Sequence, residues 1–190
     1  MNEFSNIIEY DDQIVCNEWV KWKHIGIIDE PEWLRDFIRA IAALFGHCLQ
    51  CTALSGCYFA IYNKPKYRQH FACHCTLTKI PSPVEDLSAT AYCDIRKVST
   101  YIWDIDKTKG EIYKSLGYTE NDSYLIKYEL ERQAVKKYAN GEYTLKELNN
   151  YGQTISIVIE IRNKKFKTGW IIKPNGLIKN TTPFCGKVNE

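Results

Sequence analysis

The sequence predicts an α+β protein: a small metal-stapled N-terminal module followed by helices packed on a C-terminal antiparallel β-sheet. Three observations predict it. Cysteine and histidine crowd into residues 47–75, helical spacing dominates residues 95–138, and strict apolar alternation begins at Ile155. The chain divides accordingly into an N-terminal strand–helix and Cys/His module over 1–80, a linker over 81–93 and an α+β domain over 94–190.

Of 190 residues, 45% are apolar and 25% charged, with 10 Gly and 6 Pro, which excludes collagen-like, low-complexity and disordered chains. No apolar run approaches the roughly 20 residues of a membrane helix. The best run, residues 37–45, carries Arg39 inside it. Met1-Asn2-Glu3-Phe4 lacks the basic-then-apolar pattern of a secretory leader, so the expectation is a cytoplasmic protein with no membrane partner.

In chain order, Trp19, Lys21 and Lys23 alternate with Val20, Trp22 and His24, a strand that residues 25–28 continue. Asp29 can cap a helix with Pro31 and Glu32 in its first turn. Leu34, Phe37, Ile38, Ile41, Leu44 and Phe45 give that helix one apolar face, and Gly46 ends it beside His47 and Cys48.

Eight cysteines in a chain expected to stay in the cytosol need a reason other than disulfides. Cys48-x2-Cys51 is followed after eighteen residues by His70-x2-Cys73-x-Cys75. Two such hooks can converge on one tetrahedral zinc. The expected ligands are Cys48, Cys51, His70 and Cys73, with Cys75 able to replace either member of the second hook. The alternative is a set of small buried thiols, or a disulfide if the chain is exported. With every position filled by protein, the Zn2+ would be structural. Cys57 opens an apolar strand (Tyr58, Phe59, Ile61) and is expected to be packed. Cys16, Cys93 and Cys185 read as core or surface thiols, and His24 and His47 as ordinary polar side chains.

The pattern Cys48, Cys51, Leu54, Gly56, Pro65, His70, Cys73 and Cys75 resembles the Cys/His module near the end of phage minor head proteins and related mobile-element proteins. The resemblance implies metal ligation at these positions. In such proteins the module is often followed by a variable C-terminal domain, sometimes a toxin.

In the second half, Ile80-Pro81-Ser82-Pro83 breaks regular structure and starts the linker. Ile95, Val98, Tyr101 and Ile102 have helical spacing, and Lys109 to Leu116 form a short helix ended by Gly117. Asn121 or Asp122 caps a longer helix with an apolar face of Leu125, Tyr128, Val135 and Tyr138, stopped at Asn140-Gly141. Ile155, Ile157, Ile159 and Ile161 then alternate with Ser156 and Glu160 in the clearest strand of the chain. A second strand over 166–173, a Pro174-Asn175-Gly176 turn and a third strand over 177–181 complete the sheet.

The ordered set Lys97, Tyr101, Lys109-Gly110, Leu116-Gly117-Tyr118, Tyr151-Gly152-Gln153, Thr168-Gly169-Trp170 and Thr182-Pro183 resembles small C-terminal domains of bacterial polymorphic toxins. That class is grouped with barnase-, colicin- and RelE-like ribonucleases, and the resemblance implies helices against an antiparallel sheet.

Charge is lopsided: residues 1–93 hold 8 Lys/Arg and 11 Asp/Glu, and residues 94–190 hold 17 and 12. Between Glu160 and Lys187 there are seven basic side chains and one acid. This permits a polyanion partner, the alternative being a solvated basic face. Metal-independent RNA cleavage needs a base, an acid and cations on the phosphate. The expected catalytic set is Lys97, Thr168, Lys179 and Thr182, with Trp170 and Lys173 binding substrate. Thr168 and Trp170 share a strand face, and Trp170 could stack a base for roughly 1–3 kcal/mol. All four histidines (His24, His47, His70, His74) lie in the first half. Acid–base work would therefore fall to Lys97, Lys179, Glu160 or tyrosines, whose ordinary pKa values lie far from 7.

The sequence thus reads as a phage- or mobile-element-associated toxin-like protein with a structural zinc module and a metal-independent ribonuclease domain. Its expected partners are RNA and an immunity protein or phage structural protein. The alternative is a non-enzymatic protein of the same origin that binds nucleic acid or a partner protein.

Overall fold

Alternation at Ile155, Ile157, Ile159 and Ile161 organises the larger part of the molecule. The computed structural model describes residues 19–23, 49–66, 75–80, 89–104 and 108–188. The helix expected over 31–45 lies outside these residues, as do Cys48, His70 and Cys73.

The elements run β1 (Trp19–Lys23), α1 (Leu49–Leu54), β2 (Tyr58–Ala60), β3 (Thr76–Ile80) and β4 (Thr90–Tyr92). A π-helical turn (Lys97–Tyr101) and a 3-10 turn (Thr108–Gly110) lead into α2 (Glu111–Ser115). A second 3-10 turn (Glu120–Asp122) then leads into α3 (Ser123–Ala139). The chain finishes with β5 (Thr144–Asn149), β6 (Gly152–Ile161), β7 (Lys164–Ile172) and β8 (Leu177–Lys187).

Two sheets result, a small one ordered β2-β1-β3 and a larger one ordered β4-β8-β7-β6-β5. The α+β expectation stands with a correction to the sheet. Thr90 lies opposite Leu177 and Tyr92 opposite Lys179 in parallel, so the larger sheet is mixed rather than antiparallel. This edge strand comes from the stretch expected to be linker. Its three residues carry too little alternation to register as a strand, and pairing with β8 supplies the order.

Register decides which face of the larger sheet turns inward. Ile155 pairs with Trp170, Ile157 with Thr168 and Ile159 with Phe166, and all six side chains are buried. The β7–β8 hairpin turns through Asn175 and Gly176, both with positive φ, as the Pro-Asn-Gly signal predicts.

α3 covers this sheet, packing against β6 and β4. Its N-cap is Asp122, one of the two expected residues, but the Asp122 carboxylate turns back to Thr119, which caps the preceding 3-10 turn. The Thr119 N–H donates to Asp122 Oδ2 at 2.7 Å and its hydroxyl to the same oxygen at 2.9 Å. The buried stripe is Ser123, Ile126, Leu130, Ala134 and Tyr138. Leu125 and Tyr128, expected on the apolar face, are exposed. The stripe starts at Ser123, whose hydroxyl donates to the Val98 carbonyl of the π-helical turn at 3.0 Å.

The described parts of both halves share one hydrophobic core. Trp19 of β1 meets Tyr138 of α3 edge-on with ring centres 5.4 Å apart. The Tyr138 hydroxyl donates to the Tyr58 carbonyl at 2.7 Å, and the Asn175 N–H to the Gly56 carbonyl at 3.0 Å. Burying rings of this size contributes roughly 1.5–3 kcal/mol each. Among the described residues, no helix is long and apolar enough to cross a membrane.

Candidate nucleic-acid interface

β4 stops at Tyr92 while β8 continues to Lys187, so among the described residues no strand lies beyond Lys179 on the edge of β8 opposite β7. Side chains cover that edge instead. Lys97, on the π-helical turn, donates from Nζ to the carbonyls of Asn180 and, at 2.8 Å, Thr181. Tyr113 of α2 donates its hydroxyl to the Pro183 carbonyl at 2.8 Å. Burial lowers the Lys97 pKa below the ordinary lysine value, and Lys179 nearby pushes the same way.

Around this edge, cations interleave with aromatic rings. Lys179 projects from β8 into solvent with Nζ 5.8 Å from the centre of the Tyr92 ring. Lys127 of α3 approaches the same ring at 5.6 Å while pairing with Glu131. Lys109 lies 5.3 Å from the Tyr101 ring centre, donates to the Tyr101 hydroxyl at 3.0 Å and reaches Thr182 Oγ1 at 3.5 Å. The nearby carboxylates are already engaged. Glu131 accepts the Cys93 N–H at 2.7 Å, and Asp94 takes the Arg96 guanidinium at 2.6 Å. The hydrogen bond from Arg96 holds the Asp94 carboxyl at about 2. Burial, aided by Glu131, pushes the Cys93 thiol up to about 12.

The chain matches no protein-family model, no curated protein and no solved structure.

Of the residues singled out from the sequence, the structure brings Lys97, Lys179 and Thr182 together along β8. It does not bring Thr168 and Trp170 to them. Both are fully buried in the core, away from the cations along β8. The cause is register: opposite Ile157 and Ile155, both side chains belong to the core face. Lys173 points elsewhere, donating to the Tyr151 carbonyl at 3.0 Å at the β5–β6 turn.

Of the five proposed metal ligands, Cys51 on α1 and Cys75 beside β3 are described, and both are buried. Among the described residues no group of three or more His, Cys, Asp or Glu side chains could hold a metal ion. Cys57 is packed as expected, its thiol directed at the Ala53 carbonyl 3.5 Å away, and Cys185 is exposed.

Sequence reasoning missed Tyr92 and Lys127 as site residues, and it assigned no binding role to Lys109 or Tyr101. They arrive from four separate segments, so no spacing links them. A concavity of about 970 Å³ lies where α2 meets the far end of β8, lined by Glu111, Glu160, Lys164, Lys165, Phe184 and Lys187 among others. Its lining holds both carboxylates and ammoniums, with Glu160 paired to Lys165, so it does not offer one sign of charge to a polyanion.

Proposed function

We propose that the protein is a non-enzymatic, RNA-binding protein of the phage or mobile-element kind, and that its cationic β4–β8 corner holds RNA phosphates. The observation that carries this reading is the exposed Tyr92 ring with the ammoniums of Lys127 and Lys179 within 6 Å of its centre. Clustered ammoniums release condensed counterions when they meet phosphates, which supplies sequence-independent affinity. Thr168, one of the four expected catalytic residues, and Trp170, one of the two expected substrate contacts, are buried, and the sequence from 94 to 190 holds no histidine. That combination favours binding over cleavage.

A structural zinc held by Cys48, Cys51 and two of His70, Cys73 and Cys75 belongs to the same proposal. It is supported by the spacing of the two hooks and by thiolate donors that zinc prefers. Elemental analysis should find about one zinc per chain, and Cys51→Ser should release it and destabilise β1–β3.

The deciding experiment is titration of a fluorescent RNA at several salt concentrations, followed by a check of RNA integrity. Intact RNA, bound with a steep salt dependence that weakens about tenfold in Lys179→Glu, is the expected result. Metal-independent cleavage would restore the ribonuclease reading, and absence of binding at low salt would remove both.

A further inference from the structure

Trp170 is buried, yet other rings lie at the surface beside the cations. Tyr92 is 45% exposed, and on α3 Tyr124 and Tyr128 are 77% and 59% exposed. Four residues apart on a helix, Tyr124 and Tyr128 stand one above the other, and Lys127, three residues after Tyr124, shares their side of the helix. Lys127 joins the two parts of the surface, because its ammonium also lies 5.6 Å from the centre of the Tyr92 ring. None of the three rings docks α3, whose buried stripe is Ser123, Ile126, Leu130, Ala134 and Tyr138. Large rings gathered at one exposed corner mark a recognition surface more than a structural need.

The accompanying charge selects the ligand. An apolar protein partner would have to desolvate Lys179 and the Lys127–Glu131 ion pair, whereas a polyanion with flat, unpaired bases meets the exposed Lys179 ammonium and the rings together. A duplex hides its base faces within its own stack and could meet only the lysines.

We propose that Tyr92, Tyr124 and Tyr128 form a stacking track for the bases of a single-stranded RNA, with Lys127 and Lys179 on its phosphates. This rests on the RNA-binding reading and adds the strand state of the ligand. The bases are read by their faces, so the track discriminates little between sequences.

The test titrates the full chain into a single-stranded oligouridine of about 12 nucleotides, within the site sizes of single-strand binders, carrying one 2-aminopurine. A duplex of equal length is titrated at the same salt. The single strand should bind at least tenfold more tightly and its 2-aminopurine fluorescence should change on binding. Tyr124→Leu and Tyr128→Leu, at exposed positions, should each weaken single-strand binding about tenfold, leaving duplex binding and the salt slope unaltered. Circular dichroism checks that each variant is folded, and Tyr92→Leu extends the series. Equal affinity for both RNAs, or tyrosine variants that bind the single strand like the parent, would overturn the track. Loss of binding in Lys179→Glu would in that case leave the RNA-binding reading standing. If Lys179→Glu also binds like the parent, or neither RNA binds, both readings fall.

Discussion

The indole N–H of Trp170 donates to the Thr168 hydroxyl across 2.8 Å, and that hydroxyl donates in turn to the Ile157 carbonyl at 2.9 Å. The chain of bonds ties β7 to β6 inside the core and satisfies the polar atom of a fully buried tryptophan.

Thr168→Val breaks this relay without changing the shape of the side chain much. It leaves the indole N–H without its acceptor in a buried site, a loss of about 1–3 kcal/mol. Urea unfolding should show the midpoint falling by a corresponding amount, while affinity for RNA stays at the parental value. An unchanged midpoint would contradict the structural role assigned to Thr168.

Gly110 allows the 3-10 turn before α2 to press against the preceding π-helical turn. A Cβ at this position would lie 1.8 Å from the carbonyl oxygen of Ile102, a backbone atom that no rotamer change can clear. Gly110→Ala should therefore lower stability by at least about 1–3 kcal/mol. It should also weaken RNA binding, since the neighbouring Lys109 would lose its place beside Tyr101. Thermal denaturation and the RNA titration read the two effects separately.

The Asp94–Arg96 pair gives a pH signature. The Arg96 hydrogen bond depresses the folded carboxyl from 3.8 to about 2, so its contribution to stability is present above pH 3.8 and is lost as pH falls through about 2. Carbon-detected NMR should place the Asp94 midpoint near 2, and Arg96→Ala should return it towards 3.8. Both side chains meet solvent, so the change in overall stability should be small.

Cys93 and Cys185 should differ sharply towards alkylating agents. Cys185 is exposed, whereas the Cys93 thiol is buried with its pKa raised to about 12. Thiolate is the reactive form. Peptide mapping after brief iodoacetamide treatment at pH 8 should find Cys185 modified and Cys93 unmodified until the protein is unfolded. Early labelling of Cys93 would mean that α3 opens from β4 readily.

The long alternation of β6 and the Pro-Asn-Gly turn were legible in the sequence because each is a local signal with a single geometric solution. The buried face of α3 was not. Leu125 and Tyr128 outrank Ser123 and Ala134 in hydrophobicity, and both stripes have helical spacing. Trp170 shows a related ambiguity. Alternation places it with Thr168, but only pairing with Ile155 and Ile157 tells which face is inside. Lys97 and Lys179 were legible as cations of the second half, Lys97 also through the resemblance to toxin domains and Lys179 through its place on a hairpin strand. Tyr92, by contrast, gains meaning only when β4 sets it beside α3 and β8, residues distant in sequence that no spacing rule connects.

The placement of Thr90–Tyr92 beside Leu177–Lys179 also limits how the protein can be dissected. A fragment beginning at residue 94 would retain α2, α3 and β5–β8 but lose the outermost strand of the sheet. The bare amides and carbonyls of Leu177–Lys179 would then be open to strand exchange with another copy. Self-association of such a fragment would report its missing boundary, so any C-terminal fragment that is to keep this sheet must include Thr90–Tyr92.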